Sequence, residues 1–301
     1  VAVLIDPPRW PAHGTHFSHL VSDTALGELL EFADANGVPV RAFDHDHYDV
    51  PERRHAELVG AGAVPVSESE LLRRLVASGL RVRTPERTPK PAQVLPALAA
   101  AWHDLLPSAP GLGRELVRRW QEPHRHYHDV RHLAQVLGAL DLLAHGPVPR
   151  PVLLAAWFHD AVYDGEPGAD EERSADLAAA ELTGAGLPAD EVAEVVRLVG
   201  LTVHHDPGPD DPAGVLLVDA DLSILGQPPG RYHVYSRDVR LEYSRFSDEI
   251  FAAGRVRVLD ALSSFDPLYR SATARRLWEA QSVHNLVEER NRWLRFLPST
   301  G

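Results

Sequence analysis

Apolar positions follow two regimes along this chain. Up to residue 83, short β-rich runs alternate with stretches of helical spacing. VAVLI (1–5) predicts a strand ending at Asp6-Pro7-Pro8. Leu26, Leu29, Leu30, Phe32 and Ala33 predict a helix over 24–36, with Gly37 as its C-cap. VPVRAF (38–43) and AVPV (63–66) read as strands, 51–60 as a helix, and 68–78 as a helix capped by Ser67 with Glu70 at the capping-box position. Strand and helix in alternation predict a small α/β domain with a parallel sheet and right-handed crossovers. Ligands of such sheets sit at the carboxyl ends of strands. Asp6 ends the first strand, DHDHYD (44–49) follows the second, and His19 and Asp23 fall in the long connection before the first helix. Asp6, His19, Asp23, His47 and Asp49 are therefore candidates for a site in this domain.

The second regime begins after TPERTPKPAQVLP (84–96), whose prolines predict an extended, semi-rigid linker. From 97 onward strand signals vanish. Helical spacing recurs over 97–106, 111–121, 128–145, 151–164, 170–184, 188–204, 212–225, 230–252, 254–264 and 270–296, with Gly, Pro and Asp in the gaps. The expected organisation is an α/β domain (1–83), a linker (84–96) and an all-α domain (97–301).

Composition narrows the function classes. A net charge of −13 argues against broad nucleic-acid binding, though a small anionic substrate needs only a few local cations. The absence of Cys excludes disulfides, thiolate zinc sites and thiol nucleophiles. No apolar run approaches membrane-spanning length, and Asp6 with two prolines interrupts any signal-like start, so a cytoplasmic protein without membrane contact is expected. An oligomer is compatible with all of this.

Four polar clusters interrupt the apolar spacing of the second region. AAWFHDAVYD (155–164) sets His159 and Asp160 in a helix apolar enough to be buried, where both cost several kcal/mol unless paired or metal-bound. HRHYHDVRH (124–132) opens another helix, with His128 and His132 four residues apart on one face. TVHHD (202–206) places His204 and His205 at the end of a third, and LLVDADLSILG (216–226) sets Asp219 and Asp221 in a strongly apolar run. Neutral imidazole and ionised carboxylate are both divalent-metal ligands.

HYHDVRHL, WFHDAVYD, DEERSAD, TVHH, DADLSILG and VRLEYSRF together resemble a predicted-phosphohydrolase subfamily of the HD-domain metal-dependent phosphohydrolase superfamily, over residues 115–295. Asp170 departs from the Asn usual at that place, and either residue can cap a helix. The resemblance implies an all-α HD-type domain in which His128, His159, Asp160 and Asp221 hold the metal, with Asp219 as the alternative to Asp221. That ligand set suits Mn²⁺, Fe²⁺, Co²⁺ or Mg²⁺ better than Zn²⁺. The implied activity is hydrolysis of a phosphorylated small molecule, a nucleotide first among the candidates, by metal-activated water. Arg131, Arg240 (with Tyr243 on the same helical face) and Arg255 are the candidate phosphate contacts, and Asp164, Glu171 and Glu172 the candidate acids or bases. Two alternatives stand beside it: a dinuclear iron HD-type oxygenase using His204 or His205 as a further ligand, and a non-catalytic metal- or nucleotide-binding sensor. Separately, DPPRW (6–10), SHLVSD (18–23), HYDVP (47–51) and GAVPVS (62–67) resemble an uncharacterised bacterial family of unknown function.

Overall fold

A computed structural model describes residues 2–166 and 168–298. Val1, the first residue of the expected initial strand, and residues 299–301, the end of the expected helical domain, lie outside the described residues. The chain divides into two compact units. One runs to Arg87 and takes in Pro228–Val234; the other comprises Thr88–Gln227 and the chain from Tyr235 on.

The first unit is built on a mixed sheet of β1 (Val3–Ile5), β2 (Trp10–Ala12), β3 (Thr15–Ser22), β4 (Phe43–Asp44), β5 (His47–Pro51) and β6 (Val64–Pro65), in the order β4-β5-β3-β1-β6 with β2 on β3. Only the β1–β6 pairing is parallel, so the expected parallel sheet is corrected to a largely antiparallel one. The difference lies in THFSHLVS (15–22). Its polar residues suggest a connection, but Phe17, His19 and Val21 alternate with Ser18, Leu20 and Ser22, and the segment is the longest strand of the sheet. His13 (φ 48°) and Gly14 (φ 77°) make the two-residue turn that folds β2 onto it. VPVRAF is likewise only partly extended: Val40–Ala42 is a 3₁₀ turn, and the strands are β4 and β5.

Side-chain alternation sorts the core onto two faces. Val3, Ile5 and Leu20 join Leu29, Ala33, Leu58 and Val234 on one face, and Leu4 and Val21 meet Leu71 and Leu75 on the other. The helix Glu68–Ala77 on that second face begins where expected, with the Ser67 side chain accepting from Glu70 N–H.

The second unit contains helices and no strand among its described residues. The stretch expected to be an extended linker is helical from Pro91, which occupies the first turn of the helix Pro91–Leu105, where its missing N–H costs nothing. Helices Val130–Leu143, Arg150–Phe158, Ala189–Leu201 and Pro212–Asp221 pack on one another. Arg150–Phe158 is the innermost, with Val152 and every residue from Leu154 to Phe158 buried. The expected helix 230–252 is broken: Pro229–Glu242 ends, and Asp248–Ser263 restarts behind Ser247, whose hydroxyl accepts from Ile250 N–H. Among the described residues no helix is long and apolar enough to cross a membrane.

Candidate functional site

The four packed helices bring their polar ends to one place. His132 sits in the first turn of Val130–Leu143, which Asp129 caps by accepting from Arg131 N–H. His159 immediately follows Arg150–Phe158, so the His159–Asp160 pair lies at a helix end, not within the helix expected over 151–164. Asp221 is the last residue of Pro212–Asp221. His132 and His159 are 2% and 1% exposed. Their Nε2 atoms stand 3.1 Å apart, with Asp221 Oδ1 at 3.1 Å from the first and 3.6 Å from the second. Asp160 Oδ2 lies 3.3 Å from His159 Nε2 and 3.7 Å from His132 Nε2. The other Asp221 oxygen meets His205 Nε2 at 2.9 Å, presented by a left-handed backbone (φ 52°).

Donor atoms of His132, His159 and Asp221 all lie within 4.8 Å of one another, a group that could hold a divalent ion. Ligands about 2.1 Å from a metal are roughly 3.0 Å apart in adjacent octahedral positions and roughly 3.4 Å apart in tetrahedral ones. His159 Nδ1 is engaged by the Ala156 carbonyl at 2.9 Å, which orients the ring with Nε2 toward the cluster. Burial pushes His159 down, yet the carboxylates of Asp160 and Asp221 hold its pKa well above the ordinary value. Burial works against ionisation of those carboxylates too, and the imidazoles keep both pKa values below the usual range. His132 goes down, through burial and the charge of His159. The two part-buried carboxylates and the protonated His159 ring thus form one charge-paired group.

His128, the first ligand implied by the resemblance, lies beside this cluster rather than in it. Its Nδ1 is 2.7 Å from Glu242 Oε2, and its ring stacks on Tyr163 at 4.3 Å. Glu242 Oε1 accepts from the consecutive N–H groups of His126, Tyr127 and His128. Against burial, His128 and those donors bring Glu242 to about 2. Burial lowers the His128 pKa, but the Glu242 carboxylate outweighs it and the pKa is raised. Asp219 is spoken for elsewhere: fully buried, it accepts from Arg270 and Ser271 N–H at 2.9 and 2.7 Å. His204 is exposed, whereas its neighbour His205 faces Asp221.

Sequence reasoning missed three residues here. His132 and Glu242 lay within the motifs HYHDVRHL and VRLEYSRF but were passed over for their neighbours. Arg125, in the same histidine-rich run, is buried and donates to the carbonyls of His128, Asp160 and Ala161 at 3.0, 2.7 and 3.2 Å. It joins the segment bearing His128 to the one bearing Asp160. The loop after Asp160 is fixed further by Asp170, which accepts from Asp164 and Glu166 N–H, and by Ser174, which accepts from Val162 N–H.

A cavity of about 670 Å³ opens on the cluster. His128, Tyr163, Glu171, Tyr243 and Arg255 line it, with apolar walls from Leu225, Val239, Phe246 and Phe251. Arg255 is buried and its guanidinium is bound by Glu289 (2.9 and 3.0 Å) and Tyr235 Oη (2.9 Å). Arg240 holds Asp248 and the carbonyls of Tyr243 and Phe246; Arg131 holds Asp129 and the His126 carbonyl. By contrast, Arg257 is exposed at the cavity wall and makes no ion pair among the described residues. Of the candidate acids, Glu171 closes a capping interaction with Gly168 N–H at 2.6 Å, while Asp164 and Glu172 are exposed and do not line the cavity.

In the first unit, register builds a second polar row. Ile5 pairs with Leu20, so Asp6 faces His19, and His19 pairs in turn with Asp49. His47 lies two residues before Asp49, on the same face. Asp6, 1% exposed, holds His19 Nδ1 at 2.8 Å and His19 N–H at 2.6 Å. Asp46 holds His47 Nδ1 at 2.7 Å and also receives Val82 N–H. Asp49 Oδ1 is 3.6 Å from His47 Nε2. Burial lowers His47, but Asp46 and Asp49 together raise it to about 9. Asp23 is not part of this row; it pairs with Arg74 and accepts from Ala2 N–H at 2.9 Å.

No curated protein and no solved structure matches the chain. Over residues 3–78 it is similar to the protein family described as Protein of unknown function (DUF4031), a match confined to the first unit.

Proposed function

We propose that the helical unit is a metal-dependent hydrolase of phosphate esters or anhydrides, acting on a phosphorylated small molecule with a nucleotide as the first candidate. The observation that carries this reading is the 3.1 Å approach of the His132 and His159 Nε2 atoms beside two part-buried carboxylates, Asp160 and Asp221. His132, His159, Asp160 and Asp221 would hold a divalent ion, Mn²⁺, Fe²⁺, Co²⁺ or Mg²⁺ by the hardness of the set. Such an ion supplies Lewis-acid polarisation of a phosphoryl oxygen and lowers the pKa of water.

The remaining work falls to this chain's own residues. Glu242 grips His128 Nδ1 and favours the protonated ring, leaving Nε2–H to donate to the leaving oxygen. Arg257 offers a guanidinium fork to a phosphate. Tyr243, Phe246 and Phe251 form an aromatic wall suited to a base or another apolar body.

The test is metal analysis of the purified chain joined to an anaerobic phosphate-release screen over nucleotides and sugar phosphates with added Mn²⁺. Turnover that disappears on chelation is expected. Metal and nucleotide binding without turnover under every metal would point to a sensor instead. One observation favours a second reading: Asp221 divides its two oxygens between His205 and the His132–His159 pair, so His205 would be a further ligand were a second ion held there. In that dinuclear oxygenase, two irons per chain and O₂ consumption replace phosphate release.

A further inference from the structure

The polar row of the first unit has a geometry that capping and loop ordering do not account for. His19 and His47 are each anchored through Nδ1 by a buried carboxylate, Asp6 and Asp46 respectively. That leaves both Nε2 atoms facing away from these anchors, with His47 Nε2 directed at Asp49 at 3.6 Å. One donor atom from each of His19, His47 and Asp49 lies within 4.8 Å of the others. Carboxylate–histidine pairs of this kind orient metal-binding imidazoles and raise their basicity. The three donors border a cleft of about 900 Å³, and the Asp49 side chain is half exposed, so one side of the cluster is open.

We infer that His19, His47 and Asp49 form a second divalent-metal centre, with Asp6 and Asp46 as positioning residues and open coordination toward the cleft for an anionic oxygen ligand. Two imidazoles and one carboxylate suit borderline first-row ions, and three protein ligands leave positions for water and ligand. The cleft carries the matching charge and surface. Arg41 is exposed there without an ion pair among the described residues, and Trp10, 49% exposed, lies edge-on to the His19 ring at 5.4 Å as a platform for a planar group. This centre is built wholly from the first unit and does not depend on the reading of the helical one.

The experiment uses the full chain, stripped of metal, titrated with Co²⁺ and followed by visible absorption and calorimetry. Asp49→Asn and His19→Gln should each remove a binding event that His159→Ala retains, with unchanged circular dichroism. Asp6→Asn, which removes none of the three donors but alters the anchor of the His19 ring, should weaken that event by roughly 10–100-fold. Inorganic phosphate should perturb the Co²⁺ bands of this site, and less so in Arg41→Ala. Unaltered Co²⁺ stoichiometry and affinity in Asp49→Asn and His19→Gln would overturn the inference. So would phosphate binding that persists unchanged in chelator, which would make the row an anion site. If His159→Ala changes nothing while Asp49→Asn removes the bound ion, the helical hydrolase reading falls and this one stands.

Discussion

His128 and Glu242 form a part-buried dyad, 2.7 Å between Nδ1 and Oε2, beside the polar cluster to which His132 contributes. In the proposed hydrolase these two histidines, four residues apart, would divide two tasks. His132→Ala should strip the helical site of metal. His128→Ala should leave metal bound and lower kcat by about 10²–10⁴, the usual worth of a general acid. Metal lost from His128→Ala and kept in His132→Ala would reverse the assignment.

The dyad also sets a pH dependence. A general acid must be protonated, so the hydrolytic rate should hold until the pH rises through the elevated His128 pKa and fall beyond it. Glu242→Gln removes the carboxylate that favours the imidazolium. The descending limb of kcat should then move to lower pH, with bound metal unchanged. A limb that stays in place would separate His128 from the proton transfer.

Arg257 and Arg240 make a matched comparison. Arg257→Ala should cost about 1.5–3 kcal/mol of transition-state binding, or roughly one to two powers of ten in kcat/KM, with Arg257→Lys recovering only part. Arg240→Ala breaks the contacts that tie Asp248, Tyr243 and Phe246 together across the helix break, so its effect should appear in Tm. Equal kcat/KM in wild type and Arg257→Ala would take that arginine out of the site.

Asp219 and Asp221 differ by two positions and by role. Asp219→Ala leaves the N–H groups of Arg270 and Ser271 without their buried acceptor, and a loss of about 2–4 kcal/mol is expected, measured by denaturant unfolding. Asp221→Asn should instead lower metal affinity at a smaller stability cost. A metal-free Asp219→Ala chain that is otherwise as stable as wild type would exchange the two roles.

Long apolar periodicity made the helical unit readable from sequence, and the clusters around His159, Asp221 and His205 announced themselves as polar interruptions of it. The choice between His128 and His132 is not readable, because helical spacing predicts one face for both; in the structure the helix begins only at Val130, and Glu242, more than a hundred residues away, takes His128. The first unit was harder for a related reason. Strand THFSHLVS carries polar residues on both faces, His19 between Phe17 and Val21 on one and Ser18 and Ser22 beside Leu20 on the other, so no apolar–polar alternation marks it as a strand. Pro228–Val234 joins that unit from far along the chain, and local spacing carries no record of such a return.

Arg125 spans three carbonyls of two different segments, and Asp170 and Ser174 take up the amides of the loop that follows. The irregular backbone around Asp160 is therefore already immobilised by side chains before any ion arrives. Its loss of conformational entropy falls at folding, not at ligand capture, which favours tight association at this end of the helices. The same logic makes Arg125 a residue whose loss would loosen the cluster without removing any residue proposed to hold the ion.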